Sequence, residues 1–345
     1  MDLLPTPEQE EIVTTVRSQL DQRFAPAALA EHDGADSIVD RDLWRRCAEL
    51  GWFGLGLEED LGGVGYTLVE EALLFAELGS HATPGPFLAT VIGARVAALG
   101  GAPDLAATIL SGEKVVALAE AETGTDGTAG TVTAVVSGRF RATDHGDADL
   151  LLAVGTDPAA GMAIVEATEV EREPSLDVLV PLGVIDMTGV EPLASVTDSS
   201  DLAVRATVLV ASQLAGNAAA TAAQSVEYAK DREQFGRPIG SFQAVKHRCA
   251  DMAVRAEAAT SMARYASLAV TDGRPDGAFH AHAAWTVASA AAITNAQTNV
   301  QNHGGIGFTW EHTAHRYVTR AQFLVRTLGG RPEHLAALLA EPAPA

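Results

Sequence analysis

The chain has 345 residues, 47% of them hydrophobic, which is enough for two or three domains, or one large two-part fold, with a substantial core. Its 23 Lys and Arg against 45 Asp and Glu give a formal charge of −22, which opposes binding to nucleic acid or to an anionic membrane surface. The two cysteines, Cys47 and Cys249, are too few and too far apart for a disulfide framework or a zinc site, and neither a leader pattern nor an uninterrupted membrane-length apolar run is found. The expectation is a soluble, cytoplasmic protein that deals with small molecules or other proteins.

From Thr6 to about Leu110 the pattern is helical. Pro7 and Glu8 mark a helix start, with Ile12, Val13, Val16 and Leu20 on one face. Further helices are predicted over Asp40 to Leu50, Leu68 to Gly79, Phe87 to Leu99 and Ala102 to Ser111. The glycine-dense run from Gly51 to Gly65 forms no strand-Gly-x-Gly-x-x-Gly-helix unit, so it reads as tight interhelical packing with Trp52 and Phe53 in the core.

Between about Lys114 and Val208 the period changes to two. Strands are predicted at Thr131 to Val136, Leu150 to Val154, Met162 to Val165 and Ala206 to Val210, separated by Gly, Asp and Pro, as in a small antiparallel β domain. Ala-rich helices then return, one from about Val208 to Asp231 with small residues at Ala211, Ala215, Gly216, Ala219 and Ala223, and a long one from His280 to Asn302 closed by Gly304 and Gly305. The expected division is a helical domain over 1–113, a β domain over 114–207 and a helical bundle over 208–340, with a frayed tail over 341–345. The four tryptophans, Trp44, Trp52, Trp285 and Trp310, are expected in the core. His280 and His282 lie two apart on a helix and face different sides, so no metal pair is expected.

The most informative segment runs from Arg232 to His247. Gly236 and Pro238 stop one helix, and Ser241 reads as the N-cap of the next, which places Gln243 in its first turn. Arg232 offers a fixed fork of donors suited to a phosphate, and Phe235 a flat apolar face suited to a ring. An ordinary helical hairpin with a surface Arg accounts for the same residues. Any phosphate-bearing ligand would also need a local cluster of cations to overcome the acidic field of the whole chain.

Helical, β and helical segments, joined to Arg232-Glu-Gln-Phe-Gly236 and Gln301-Asn-His-Gly-Gly-Ile-Gly-Phe308, resemble the acyl-CoA dehydrogenase family. Leu50-Gly-Trp-Phe-Gly-Leu, Glu59-Asp-Leu-Gly-Gly-Val-Gly65 and Glu77-Leu-Gly79 with Pro84-Gly-Pro-Phe87 extend the resemblance over nearly the whole chain. It implies an α+β fold, with an N-terminal helical domain, a small antiparallel β domain and a C-terminal four-helix bundle, and FAD held between subunits. On that resemblance Arg232 and Gln234 reach the pyrophosphate of a neighbouring subunit's flavin, Phe235 and Gln243 contribute nearby, and Gln301, Gly304 and Gly305 meet its adenine side. His303 either lines that groove or caps its helix.

The sequence departs from the family where substrate and flavin ring are handled. The family's catalytic carboxylate sits at one of two positions, and these align here with Leu328, in Thr327-Leu-Gly-Gly330, and with about Ala206. Asp198, Asp201 and Glu333 lie near enough to be displaced bases, although surface charges are their simpler reading. No catalytic residue is therefore assigned. The family's Thr-Glu-Pro-x-x-Gly-Ser-Asp loop reads Ala119-Glu-Ala-Glu-Thr-Gly-Thr-Asp126, the Trp-Ile-Thr segment after Gly138-Arg-Phe-Arg141 has no Trp, and the substrate-facing Asp and Arg are replaced near Val204 and Thr207.

Residues that reach a partner's cofactor are thus kept, while those that hold this chain's own flavin ring, substrate and proton are lost. The pattern resembles the non-catalytic member of heterotetrameric acyl-CoA dehydrogenases of actinobacterial steroid and cholesterol catabolism. It implies a partner, a second acyl-CoA dehydrogenase-like chain with the catalytic Glu, and an acyl-CoA substrate in the complex. The alternatives are a self-sufficient dehydrogenase with a displaced base and a flavin-free scaffold or regulatory homologue.

Overall fold

The structure, a computed structural model, describes residues 3–24, 33–35, 39–122, 129–157, 159 and 161–341. The loop residues 123–126 of the Ala119 motif and the tail 342–345 lie outside these. The chain divides into two compact units, one built from 1–30, 68–83 and 207–345, the other from 31–67 and 84–206.

In the first unit, α1 (Pro7–Arg23) opens on a capping box in which the Thr6 hydroxyl accepts from the Gln9 amide and the Gln9 side chain accepts from the Thr6 amide. It lies along α3 (Leu68–Ser80), to which Gln9 is tied through Glu70 and Arg17 through Glu77. The long α6 (Ser200–Asp231) passes α3 at very short range. A Cβ on Gly79 would stand 1.9 Å from the Gln213 carbonyl, and one on Gly216 would stand 1.9 Å from that of Ala76, so both glycines are required by backbone meeting backbone. Helices α7 (Gln243–Thr271) and α8 (Gly277–His303) complete the bundle, followed by α9 (Ala314–Leu324) and α10 (Arg331–Ala340). One buried amide ties three of these helices. Asn295 Nδ2 donates to the carbonyls of Ala218 on α6 and Met252 on α7, and its Oδ1 accepts from Arg255.

In the second unit, α2 (Arg41–Glu49) is capped by Asp40, and α4 (Phe87–Leu99) and α5 (Pro103–Leu110) follow. Trp52 and Phe53 are buried in the glycine-dense turn, and Phe53 meets Trp44 at 4.5 Å between ring centroids. The sheet contains β1 (Val116–Ala121), β2 (Thr131–Val132), β3 (Val136–Thr143), β4 (Leu150–Val154), β5 (Met162–Glu166), β6 (Glu171–Glu173), β7 (Leu182–Val190) and β8 (Ala194–Val196). Its order is β6-β7-β3-β1-β4-β5-β8, with β2 on β3.

Four expectations need correction. Strand β1 pairs with β4 in parallel, so the sheet is mixed. The side of the sheet bearing Val116 and Ile164 packs on α4 at Gly93, and the other side forms its own apolar cluster around Phe140 and Leu151, which is why Leu150 to Val154 is a continuous buried run. Thr131 to Val136 is not one strand: it holds β2 (Thr131–Val132), a bend over 133–135 and the first residue of β3, which pairs back on β2 as a hairpin. Ala206 to Val210 is helix: α6 begins at Ser200, eight residues before the expected start, and all five side chains are buried. Periodicity is uninformative in a segment buried all round, and the β-branched residues took the reading the wrong way. Finally, Phe242 and not Ser241 occupies the N-cap of α7, without a side-chain cap bond.

Candidate cofactor and partner face

The Arg232 motif forms a two-stranded hairpin, β9 (Glu233–Gln234) against β10 (Arg237–Pro238), between α6 and α7. Phe235 at its tip has φ +54 and Gly236 φ +76, so the turn holds a bulky side chain in the left-handed region and aims it outward. Phe235 is 91% exposed. Every residue from Asp231 to Pro238 is exposed, as is Gln243 at the start of α7. Among the described residues, Gln234 Nε2 donates only to the neighbouring Glu233 carbonyl. Arg232 has no side-chain partner among the described residues.

A sequence reading focused on Arg232 passes over the residues that shape this hairpin. The Arg237 guanidinium lies 4.2 Å above the Phe242 ring, and Phe235 meets the same ring edge-on at 6.1 Å. With Lys230, Arg232, Lys246 and Arg248, Arg237 makes five of the chain's 23 Lys and Arg within residues 230–248, a local basic cluster on an acidic protein. The first-turn amides of α7, left without a side-chain cap, add to its attraction for anions.

The second motif meets the first at this end of the bundle. Tyr228, one turn before Arg232, stacks on His303 of the Gln301-x-x-Gly304-Gly305 motif with centroids 4.2 Å apart, and Asn302 lies against Cys249 and Met252 of α7. His303 Nδ1 donates to the Asn299 carbonyl at 2.8 Å, and burial holds its ring below the usual histidine range. Gln301 is exposed. Gly304 has φ +64, ψ −139, which only glycine adopts without strain. Gly305 has no such need, and a Cβ there would meet nothing within 4 Å, so open space in front of its backbone is what glycine provides. Ile306, Phe308 and Trp310 follow, 46%, 75% and 66% exposed. Trp310 is therefore surface and not core, a correction shared with none of the other three tryptophans; Trp44, Trp52 and Trp285 are all buried.

The base positions are different in kind. Leu328 is buried and sits at φ +58, followed by Gly329 at φ +101. Ala206 is fully buried within α6. Of the nearby carboxylates, Asp198 accepts from the Ser200 amide and hydroxyl ahead of α6, which lowers its pKa. Asp201 is exposed in the first turn of the same helix, and Glu333 accepts from the Gly330 amide as the capping carboxylate of α10. All three have positions that helix ends favour. Ala119 and Ala142, where the family's Thr and Trp would stand, are fully buried, and Glu122 bridges Arg139 and Arg141 beside them. Burial pushes the Cys47 thiol up to about 12 and Cys249 upward as well, so neither is a thiolate at neutral pH.

Residues 6–112 match the acyl-CoA dehydrogenase N-terminal domain and residues 204–343 the acyl-CoA dehydrogenase C-terminal domain. The chain belongs to the acyl-CoA dehydrogenase family. It is 36% identical over 329 residues to acyl-CoA dehydrogenase FadE34 of Mycobacterium tuberculosis, covering 89% of this chain but only 43% of that longer protein. Acyl-CoA dehydrogenase IpdE2 of the same organism is 33% identical, with 98% of each chain covered. Among solved structures, the ChsE4-ChsE5 complex from Mycobacterium tuberculosis superposes with a TM-score of 0.82 at 26% identity, over 99% of this chain and 100% of that one. The acyl-CoA dehydrogenase fold, with helical N- and C-terminal domains and a middle sheet, is thereby established. Members of the family normally bind FAD, and the unpaired Arg232, the basic cluster, the exposed Phe235 ring and the open Gly304-Gly305 backbone suit a dinucleotide pyrophosphate and its rings. No described helix is long and apolar enough to cross a membrane.

Proposed function

We propose that this chain is a supporting subunit of an FAD-dependent acyl-CoA dehydrogenase that desaturates an acyl-CoA thioester between its α and β carbons. The observation that carries the reading is a division within the chain. Arg232 projects from the hairpin with no side-chain partner among the described residues, beside an exposed Gln234 bonded to the neighbouring Glu233 carbonyl and a Phe235 ring 91% exposed, whereas the two base positions hold the buried alkyl groups of Leu328 and Ala206. FAD in the complex supplies the hydride acceptor. The task of this chain is to bind and orient: Arg232 and Gln234 grip the pyrophosphate of the partner's flavin, Phe235 and Gln243 pack beside it, and Gln301, Gly304 and Gly305 admit its adenine end. The α-proton is left to a Glu of the partner, a second acyl-CoA dehydrogenase-like chain, because an alkyl group at Leu328 can neither accept nor hold it.

The basic cluster and the exposed Phe308 and Trp310 give the partner a face to dock on, and the likeness to the ChsE4-ChsE5 complex agrees with a heteromeric assembly. The acyl group we propose is steroid-derived, on the resemblance of the lost residues to those of steroid-catabolic supporting chains.

Co-expression with acyl-CoA dehydrogenase-like chains that carry the Glu tests the proposal. Neither chain alone should desaturate an acyl-CoA, and the co-purified complex should. Full activity from this chain alone would end the proposal.

A further inference from the structure

A cleft of about 980 Å³ lies within the unit of 1–30, 68–83 and 207–345, with α6 as its floor and α1, α3, α7 and α9 as its walls. Along α6 it extends from Ser212 to Gln224, about 18 Å of helix. Between the polar Ser212 and Gln224 at its two ends, the floor is made of the small apolar Ala215, Gly216, Ala219, Ala220 and Ala223, so its depth comes from what those residues lack.

The charged groups around the cleft are arranged unequally. Arg17 is committed to Glu77 through two bonds of 2.7 and 3.0 Å, and Asp21 is hydrogen-bonded to His81 at 3.0 Å, a contact that is an ion pair only when the ring is protonated. Two charges remain without an ion-pair partner among the described residues, Arg264 and Glu10. Asn295 fixes α6 and α7 antiparallel by bonding Ala218 and Met252, which puts Arg264 at the Ser212 end. The Gln9–Glu70 and Gly216–Ala76 approaches put Glu10 at the Ala223 end, where it is exposed. Arg264 is half-buried, and its guanidinium, with no ion-pair partner among the described residues, is available to donate to an incoming carboxylate.

We propose that this cleft binds an unesterified apolar carboxylic acid, carboxylate on Arg264 and apolar body along α6. A CoA thioester is a poor occupant, since its several phosphates need several cations and the cleft offers one unpaired cation. A dicarboxylate is disfavoured by Glu10 at the far end. The volume, with an alanine- and glycine-rich floor and one cation not committed to an ion pair among the described residues, suits a small-molecule site.

The inference does not depend on flavin, so it is tested on the full chain purified alone, by calorimetric titration with decanoate and decanol. Decanoate should bind saturably, one per chain, and decanol at least tenfold more weakly. Arg264→Gln should reduce decanoate affinity about tenfold and leave decanol unchanged, consistent with the loss of one charge-assisted contact. Ala223→Phe, at the exposed rim, should weaken both ligands while leaving the fold intact. Absence of saturable decanoate binding, or binding indifferent to both substitutions, would overturn the proposal. So would expulsion of decanoate when the partner chain is added, since the cleft would then be a protein-docking surface. None of these results bears on the supporting-subunit reading, whose own test is activity of the complex.

Discussion

Arg232→Ala in the assembled complex is expected to strip most of the FAD while leaving both chains folded and associated. The side chain is exposed and forms no bond among the described residues, so its removal costs the fold almost nothing. Its proposed work is a charge-assisted, two-pronged grip on a diphosphate, for which about 1.5–3 kcal/mol is typical, or roughly ten- to a hundredfold in affinity. Arg232→Lys should restore part of the charge but not the fork, and so part of the flavin content. The measurement is FAD released per complex after gel filtration. Unchanged flavin in Arg232→Ala would mean that the hairpin does not reach a cofactor.

Acid is expected to weaken the C-terminal helix through one buried ring. His334 of α10 stacks on Trp285 of α8 at 3.9 Å, and its Nδ1 lies 2.9 Å from Nδ1 of His282, so one ring donates and the other accepts. Burial, with a smaller contribution from His282, pushes His334 down to about 3. In the unfolded chain the same ring titrates near 6.5. Between those values the unfolded state binds more protons than the folded state, so stability is full above about pH 6.5 and falls as the pH drops toward 3. At about 1.4 kcal/mol per unit, this single ring accounts for a loss of about 2 kcal/mol at pH 5. Urea unfolding at pH 7.5 and pH 5 should show that difference between the protein and His334→Leu, with the variant less sensitive to acid. Equal sensitivity would mean that the ring is solvated or already charged in the folded state.

Legibility in the sequence followed the range of the interactions. Helix α4 is legible to the residue because Pro86 and Gly100 bracket an apolar run, and the start of α1 because Pro7 and Glu8 are local signals. Ala206 to Val210 misled because a segment buried on all sides loses the periodicity that distinguishes helix from strand. The parallel pairing of β1 with β4 was hidden for a similar reason: it is set by coverage on both faces, which no short window displays.

The candidate site divides in the same way. Arg232, Gln234, Phe235 and Gln243 could be named because they fall in one short motif, and Gln301, Gly304 and Gly305 because they fall in another. What joins the two, the Tyr228–His303 stack, spans 75 residues and left no local mark. Nor did the His282–His334 contact or the cleft beside Arg264, each of which depends on the register of helices distant in sequence. Residue type alone predicts a core position for Trp310; instead it meets His315 edge-on at 4.6 Å and stays 66% exposed close in sequence to the exposed Phe308.

The central claim is that this chain completes a flavin site it does not itself contain. An absorption spectrum of the chain purified alone, and of the complex, each before and after addition of an acyl-CoA, tests it most directly. The lone chain should show no flavin band at about 450 nm, and the complex should show one that bleaches with substrate. A lone chain that is yellow and bleaches with acyl-CoA would contradict it, and would require a base among the carboxylates assigned here to helix ends.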